Sequence, residues 1–485
     1  MRNVLDVPAT CGILSSKKIE ITGNWDAVAL IEKLGKGELA SLEVTTAFCK
    51  RAAIAQQLIN CLTEIFFEQA MARAKECHAY LAEHGKPMGP FHGLPISLKD
   101  CFNVKGVAGT VGLVSFIDRP VAESNSSLVE ILMELGAVLY VKTNIPQSMM
   151  TGDSENNVFG RTLNPNRLCL GAGGSSGGEG ALLGIRGSPI GVGTDIAGSI
   201  RIPAYVNGTF GSKPSEHRVP AANQVSCSRR GSFGIRAVVG PLARSLRDID
   251  YFMEAVLDRD AWNYDPDALG VLWRTPALQA ASKPKLTLGL LLEDETRPLH
   301  PPVLRAMKTA IKGLEAAGHR IIDLSRKLPT GIFDKVMRSA MQSFVLDPAK
   351  TGADYIKSSG EPFIASLAKS SLPALTGYQP SLDDAWELSA KRSEFREIIW
   401  KVYVNEKLDA VLLPAFSGTA VAHDAYGLPM YTVLANLLNV SAIVMIRLKP
   451  FADFFSASCC RSAVLEGGQP VGRRVSAGCQ IRAAM

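Results

Sequence analysis

The feature that most constrains this chain is a glycine-rich centre. Two unusual segments lie close together there, GGSSGG at 173–178 and GTDIAGSIRIP at 193–203. Apolar residues flank both, so a flexible linker is a poor account of them. The glycines imply positive φ or close backbone approach instead. A phosphate cradle would require GxxxxGK[ST], or GxGxxG between a strand and a helix, and neither occurs in the proper form. What remains is a nucleophile turn. Successive N–H groups at a glycine-rich strand-to-helix turn converge on a developing oxyanion. Ile196, Ala197, Gly198 and Ser199 offer such a nest, with Ser199 as nucleophile. Asp195 and Arg201 flank it and form a pair able to fix the loop.

A serine nucleophile requires a base. The seven histidines stand in no telling context. His423 precedes Asp424 directly, which is no triad geometry, and reads as a loop polar residue. A lysine serves when desolvation lowers its pKa enough to leave it neutral. Lys99 follows the apolar run LPISL, which would carry its ammonium inside, whereas most other lysines lie on polar helical faces. The competing reading is a solvated lysine at a strand end.

Periodicity sets these segments in a larger frame. After a start that reads as disordered, helical spacing covers about 24–35, 41–58 and 65–84. Pro95 to Leu98 reads as a short buried strand. Asn125 or Ser126 caps a helix to about 135, and an apolar strand follows at 137–142. Residues 285–293 and 319–324 read as strands around a helix at 300–319, a spacing that implies a right-handed crossover in a largely parallel sheet. The best linker candidate is about 258–284.

At 485 residues, 47% hydrophobic and 20% charged, the chain is expected to fold around a sizeable core. Its net charge of +6 is spread out, with no basic block, so a nucleic-acid partner is not expected. No run of about 18 apolar residues occurs, which argues against a membrane span. The N-terminus lacks the apolar stretch of a signal peptide. Ten scattered cysteines without a CxxC pair fit reduced thiols in a cytoplasmic protein and give no structural metal site.

In this order, SLKDCFNVKG (97–106), IPQSMM (145–150), GGSSGGEGAL (173–182) and GTDIAGSIRIPA (193–204) resemble the amidase signature family. GSKPSEHRVP (211–220) and VGPLARSLRDID (239–250) continue the match. Within the family the chain is similar to acetamidase-like amidases of filamentous fungi, over roughly 20–445. The resemblance implies an α/β/α sandwich, with a mixed, mostly parallel sheet between helical layers, as one domain over 1–446. It implies a triad of Lys99, Ser175 and Ser199, with a cis Gly174–Ser175 peptide and Ser176 beside it. Its oxyanion donors fall on the N–H groups of Ile196, Ala197, Gly198 and Ser199, and its substrate-contacting loop residue on Met149. A small-molecule amide is the expected substrate. Neither metal nor organic cofactor is implied, and a homodimer is compatible with the resemblance.

Two departures stand out. Ala197 replaces a glycine common in the turn, a change that spares the backbone donor if φ stays negative. Beyond 446, family resemblance and periodicity both fade, except for QPVGRR at 469–474. Residues 447–485 therefore read as an atypical tail with neither a clear strand nor a good helix, of the kind that splicing or a frameshift produces. Such a tail makes a catalytically impaired relative the first alternative. Another is an α/β-hydrolase-type esterase, since GGSSG at 173–177 also satisfies GxSxG with Ser175 as nucleophile. A third is the family's ammonia-transferring branch, which the missing basic surface disfavours.

Overall fold

A computed structural model of the chain describes residues 2–232, 234–273, 285–292, 298–370, 375–445, 464–465, 469–470 and 478–482. The amphipathic patterns near the N-terminus form the helices Ala27–Gly35, Ser41–Ile59 and Phe67–His84. Asp26 caps the first by accepting the Ala29 N–H at 3.1 Å. Left-handed Asn60 and Gly85 end the other two. The start of the chain, read as disordered, is instead helical at Val7–Thr10 and Ser16–Gly23. Val4, Leu14 and Ile21 are buried there, so tertiary packing compensates for a weak local pattern.

The strands expected at 95–98, 137–142, 285–293 and 319–324 are present with small shifts, and the other strands are not among the sequence expectations. In chain order the strands begin with β1 (Leu62–Ile65), β2 (Pro95–Lys99) and β3 (Val138–Thr143), then a short hairpin of β4 (Glu155–Asn156) and β5 (Gly160–Arg161). Next come β6 (Ile190–Asp195), β7 (Phe210–Lys213) and β8 (Val238–Ala243). The second part supplies β9 (Thr287–Leu290), β10 (Arg320–Asp323), β11 (Ala410–Leu413) and β12 (Ser441–Met445). A small pair, β13 (Val464–Leu465) with β14 (Gln469–Pro470), precedes β15 (Gly478–Arg482).

Eleven of these strands form one mixed sheet flanked by helices, in the order β1-β3-β2-β6-β8-β7-β12-β15-β11-β9-β10. The α/β sandwich is thus as expected. Parallel pairing runs through β3–β2–β6 and through β11–β9–β10, and antiparallel strands join the two blocks. The expected crossover is present as β9, the helix Pro301–Ala316 and β10, with β9 and β10 parallel. One apolar core gathers around the N-terminal helices and β2–β3. A second gathers around the helices Ile332–Phe344 and Thr432–Leu437.

The segment read as a tail without a strand supplies β15, which lies between β12 and β11, pairing Ala442 with Ile481 and Leu412 with Gln480. A five-residue strand with partners on both sides is specified by their open backbone groups more than by its own periodicity. The remainder of 447–485 lies outside the described residues, apart from β13 and β14. So does the linker candidate beyond residue 273.

Candidate active site

The strands β2 and β6 are parallel neighbours, with Ile96 opposite Ile190 and Leu98 opposite Val192. Their C-terminal ends therefore share one edge, the usual place for a ligand in an open α/β sheet. Lys99 ends β2 and Asp195 ends β6. Every residue of both strands is buried, so the apolar run does carry the Lys99 ammonium inside. Between them comes the loop to the helix Gly177–Gly184, where the Gly174–Ser175 peptide is cis. Gly178 has to be small, because a Cβ there would lie 2.6 Å from the carbonyl oxygens of both Asn144 and Cys61.

Lys99 Nζ donates to Ser175 Oγ at 2.7 Å and to Thr194 Oγ1 at 2.7 Å, with the Thr194 carbonyl at 3.5 Å. These partners are neutral oxygens, so desolvation dominates. Burial pushes the lysine down to about 8, while Cys101, Asp195, Cys227 and Glu179 pull weakly the other way. Beneath it, the Glu179 carboxyl accepts from Ser97 Oγ at 2.6 Å and Thr143 Oγ1 at 2.9 Å. Burial pushes this carboxyl up to about 8 against the hydrogen bonds from Ser97 and Thr143 and the charge of Lys99.

Ser199 follows in the turn between β6 and the helix Arg201–Asn207 and is 7% exposed. Its carbonyl accepts the Ser176 N–H at 3.1 Å, which ties the two loops together, and Ser176 Oγ donates to the Thr194 carbonyl at 3.3 Å. The Asp195–Arg201 pair forms as expected. Both side chains are fully buried, with Arg201 Nε 3.0 Å and Nη2 2.8 Å from the carboxylate oxygens. Burial alone would raise this carboxyl, but the Arg201 guanidinium outweighs it and holds Asp195 well below the usual carboxylate range.

One expectation needs correction. The Gly198 N–H, placed among the oxyanion donors, already donates to Asp195 Oδ1 at 2.8 Å. A carboxylate is the strongest acceptor within reach, and φ of +133° at Gly198 turns the amide toward it. A Cβ at this position would lie 2.6 Å from Ile202 Cδ1. Ile196 and Ala197 are half-buried, and Ala197 stays outside the positive-φ region. Among the described residues no partner takes the N–H of Ile196, Ala197 or Ser199.

Met149 ends a 3₁₀ turn at Gln147–Met149 with φ +61°, half-buried against the N-terminal core. The Cys227 thiol donates to the Ser148 carbonyl in that turn at 3.1 Å. Two of the histidines available to an esterase scheme are engaged with backbone groups. His423 Nε2 lies 3.0 Å from the Leu168 carbonyl, and His319 Nδ1 accepts the Leu286 N–H. Among the described residues no group of three His, Cys, Asp or Glu side chains is placed to hold a metal. No described helix is long and apolar enough to cross a membrane.

Sequence reasoning missed Thr194, Glu179, Thr432 and Asn436. Only Glu179 carried a signal, a lone charge in the otherwise glycine-rich and apolar run GGEGALLG. The others meet the site by tertiary contact.

A desolvated lysine bonded to a serine thus sits beside a buried turn with open N–H groups, at the C-terminal edge of β2 and β6 in an α/β sandwich. The chain belongs to the amidase family, whose sequence model matches residues 43–479, and it is an amide-hydrolysing enzyme. It is 41% identical over 445 residues to an amidase of Gibberella moniliformis, covering 91% of this chain and 82% of that one. It is 38% identical over 455 residues to an acetamidase of Emericella nidulans, covering 91% and 81%. Among solved structures it is similar to fatty acid amide hydrolase, with a TM-score of 0.84 and 30% identity over 99% of this chain and 85% of that one. A bacterial aryl acylamidase shares the fold at a TM-score of 0.74 and 22% identity.

Proposed function

We propose that Ser199 is the nucleophile, Ser175 the proton relay and Lys99 the base of an amidase that works through an acyl-enzyme. The observation that carries this reading is the 2.7 Å bond between a fully buried Lys99 Nζ and Ser175 Oγ. Burial favours the neutral amine, whose lone pair takes the Ser175 hydroxyl proton while its N–H groups donate to Thr194. Ser175 in turn takes the proton of Ser199, whose Oγ bonds to the amide carbon. The N–H groups of Ile196, Ala197 and Ser199 receive the oxyanion. Collapse breaks the C–N bond, and the proton returns from Lys99 through Ser175 to the leaving nitrogen. Water then repeats the path on the ester and releases the acid. No organic cofactor or metal enters this scheme.

The substrate is a small carboxylic acid amide with an apolar or aromatic acyl group. Ile202, against which Gly198 packs, forms an apolar cluster with Phe416 and Tyr426. The acetamidase name of the relative points to a short primary amide. Half-buried Met149 contacts the substrate, as the family resemblance implies, from the 147–149 turn, whose Ser148 carbonyl accepts the Cys227 thiol.

Fluorophosphonate labelling followed by peptide mapping tests the assignment without knowledge of the substrate. The expected adduct is on Ser199 and is lost in Ser199→Ala and Lys99→Ala. An adduct on Ser175 would transfer the reading to an esterase. No adduct on a folded chain would mean a silent enzyme.

A further inference from the structure

The Ser199 turn is held by a part of the chain that no motif marks. The helix Thr432–Leu437 lies against it, and both Thr432 and Asn436 are buried. Thr432 Oγ1 donates to the Ala197 carbonyl at 2.5 Å. Asn436 Nδ2 donates to Asp195 Oδ1 at 3.0 Å and to the Asp195 carbonyl at 3.2 Å. Arg201 closes the network, giving Nη1 to the Thr432 carbonyl at 2.8 Å and Nη2 to Asn436 Oδ1 at 2.6 Å.

These contacts meet on one peptide plane. The Ala197–Gly198 peptide offers its carbonyl on one side and its N–H on the other. Thr432 holds the carbonyl, and Asp195, itself held by Asn436, takes the N–H. With both ends fixed, the plane cannot rotate. The two adjacent peptides carry the N–H groups of Ala197 and Ser199, and this plane anchors one end of each, while the Ile202 N–H holds the Gly198 carbonyl of the second at 2.7 Å. An oxyanion site works to the extent that its donors need no reorganisation.

We infer that Thr432 and Asn436 are positioning residues that orient the oxyanion-binding turn from the C-terminal half of the chain. The inference rests on reading 196–199 as that turn. Because β12 follows this helix directly and pairs with β15, the support extends to the last strand of the sheet.

The test compares wild type, Thr432→Val, Thr432→Ser and Asn436→Leu in fluorophosphonate labelling rate and in kcat and KM on benzamide. Thr432→Val is expected to lower kcat and labelling rate by about 10- to 100-fold. KM should stay within about threefold, the pH midpoint of the acid limb should not move, and Thr432→Ser should restore most of the rate. Asn436→Leu should lower kcat in the same way. If Thr432→Val does not fold, Thr432→Cys, close in size with a weaker donor, carries the test. A Thr432→Val rate within about twofold of wild type, or a loss confined to KM, overturns the inference. Retained labelling in Ser199→Ala, run in parallel, would instead overturn the reading of the turn itself.

Discussion

Lys99 and Asp195 occupy matching places and meet opposite fates. Each ends one of two neighbouring parallel strands, and each is fully buried. Asp195 faces a guanidinium at 2.8 Å and remains charged. Lys99 faces two hydroxyls and a carbonyl, and burial drives it toward the neutral amine. The lesson is that burial does not settle the charge of a group. The partner settles it, since only an opposite charge offsets the cost of desolvation. One strand end thereby becomes a rigid anchor for a turn, and the other carries the amine we propose as the base.

Four measurements would break or sharpen this contrast. The largest effect is expected for Lys99→Met, which keeps the packing and removes the amine. A general base contributes about 10²- to 10⁴-fold, so kcat/KM should fall by that order while the fold persists. A loss below about tenfold would leave Lys99 as mere packing. Arg201→Met, at the other strand end, should act on stability instead. Stranding the Asp195 carboxylate should cost about 3–5 kcal/mol, read as a lower thermal or denaturant midpoint. If the variant melts like wild type, the anchor reading of the pair fails.

The third effect is pH dependence. In the proposed mechanism the active form is deprotonated Lys99, held down to about 8 by burial. Activity should therefore rise about tenfold per pH unit below that value and level off above it. A kcat/KM profile that is flat from about pH 6 to 9 would remove Lys99 from the base role. The smallest effect belongs to Glu179, which burial raises to about 8 and which favours the lysine ammonium only in its ionised fraction. Glu179→Gln should move the acid-limb midpoint to lower pH, by less than about one unit. An upward shift would contradict the electrostatic link between the two groups.

The two strand ends also differ in how far they could be read beforehand. The short-range patterns were legible: a lysine after an apolar run, serines among glycines, and an Asp–Arg pair across one turn. The helices near 24–35, 41–58, 65–84 and 300–319 and the strands near 95–98, 137–142, 285–293 and 319–324 followed from spacing as well, because amphipathic periodicity is a local property. The direction of the Gly198 amide was not legible. It depends on a φ of +133° and on which acceptor lies nearest. Nor was the helical start, where burial against distant residues overrides a weak local pattern.

By itself, the sequence determined the fold class, the family and the three side chains proposed to react, since motif order and local spacing encode these directly. Only the tertiary structure decided the environment of those side chains. Thr432 reaches Ala197 across 235 positions of chain, Glu179 meets Ser97 across 82, and β15 fills the sheet between β12 and β11. Hydrogen bonds and desolvation act through space at ångström distances, and adjacency along the chain specifies that neighbourhood only within a turn or a strand.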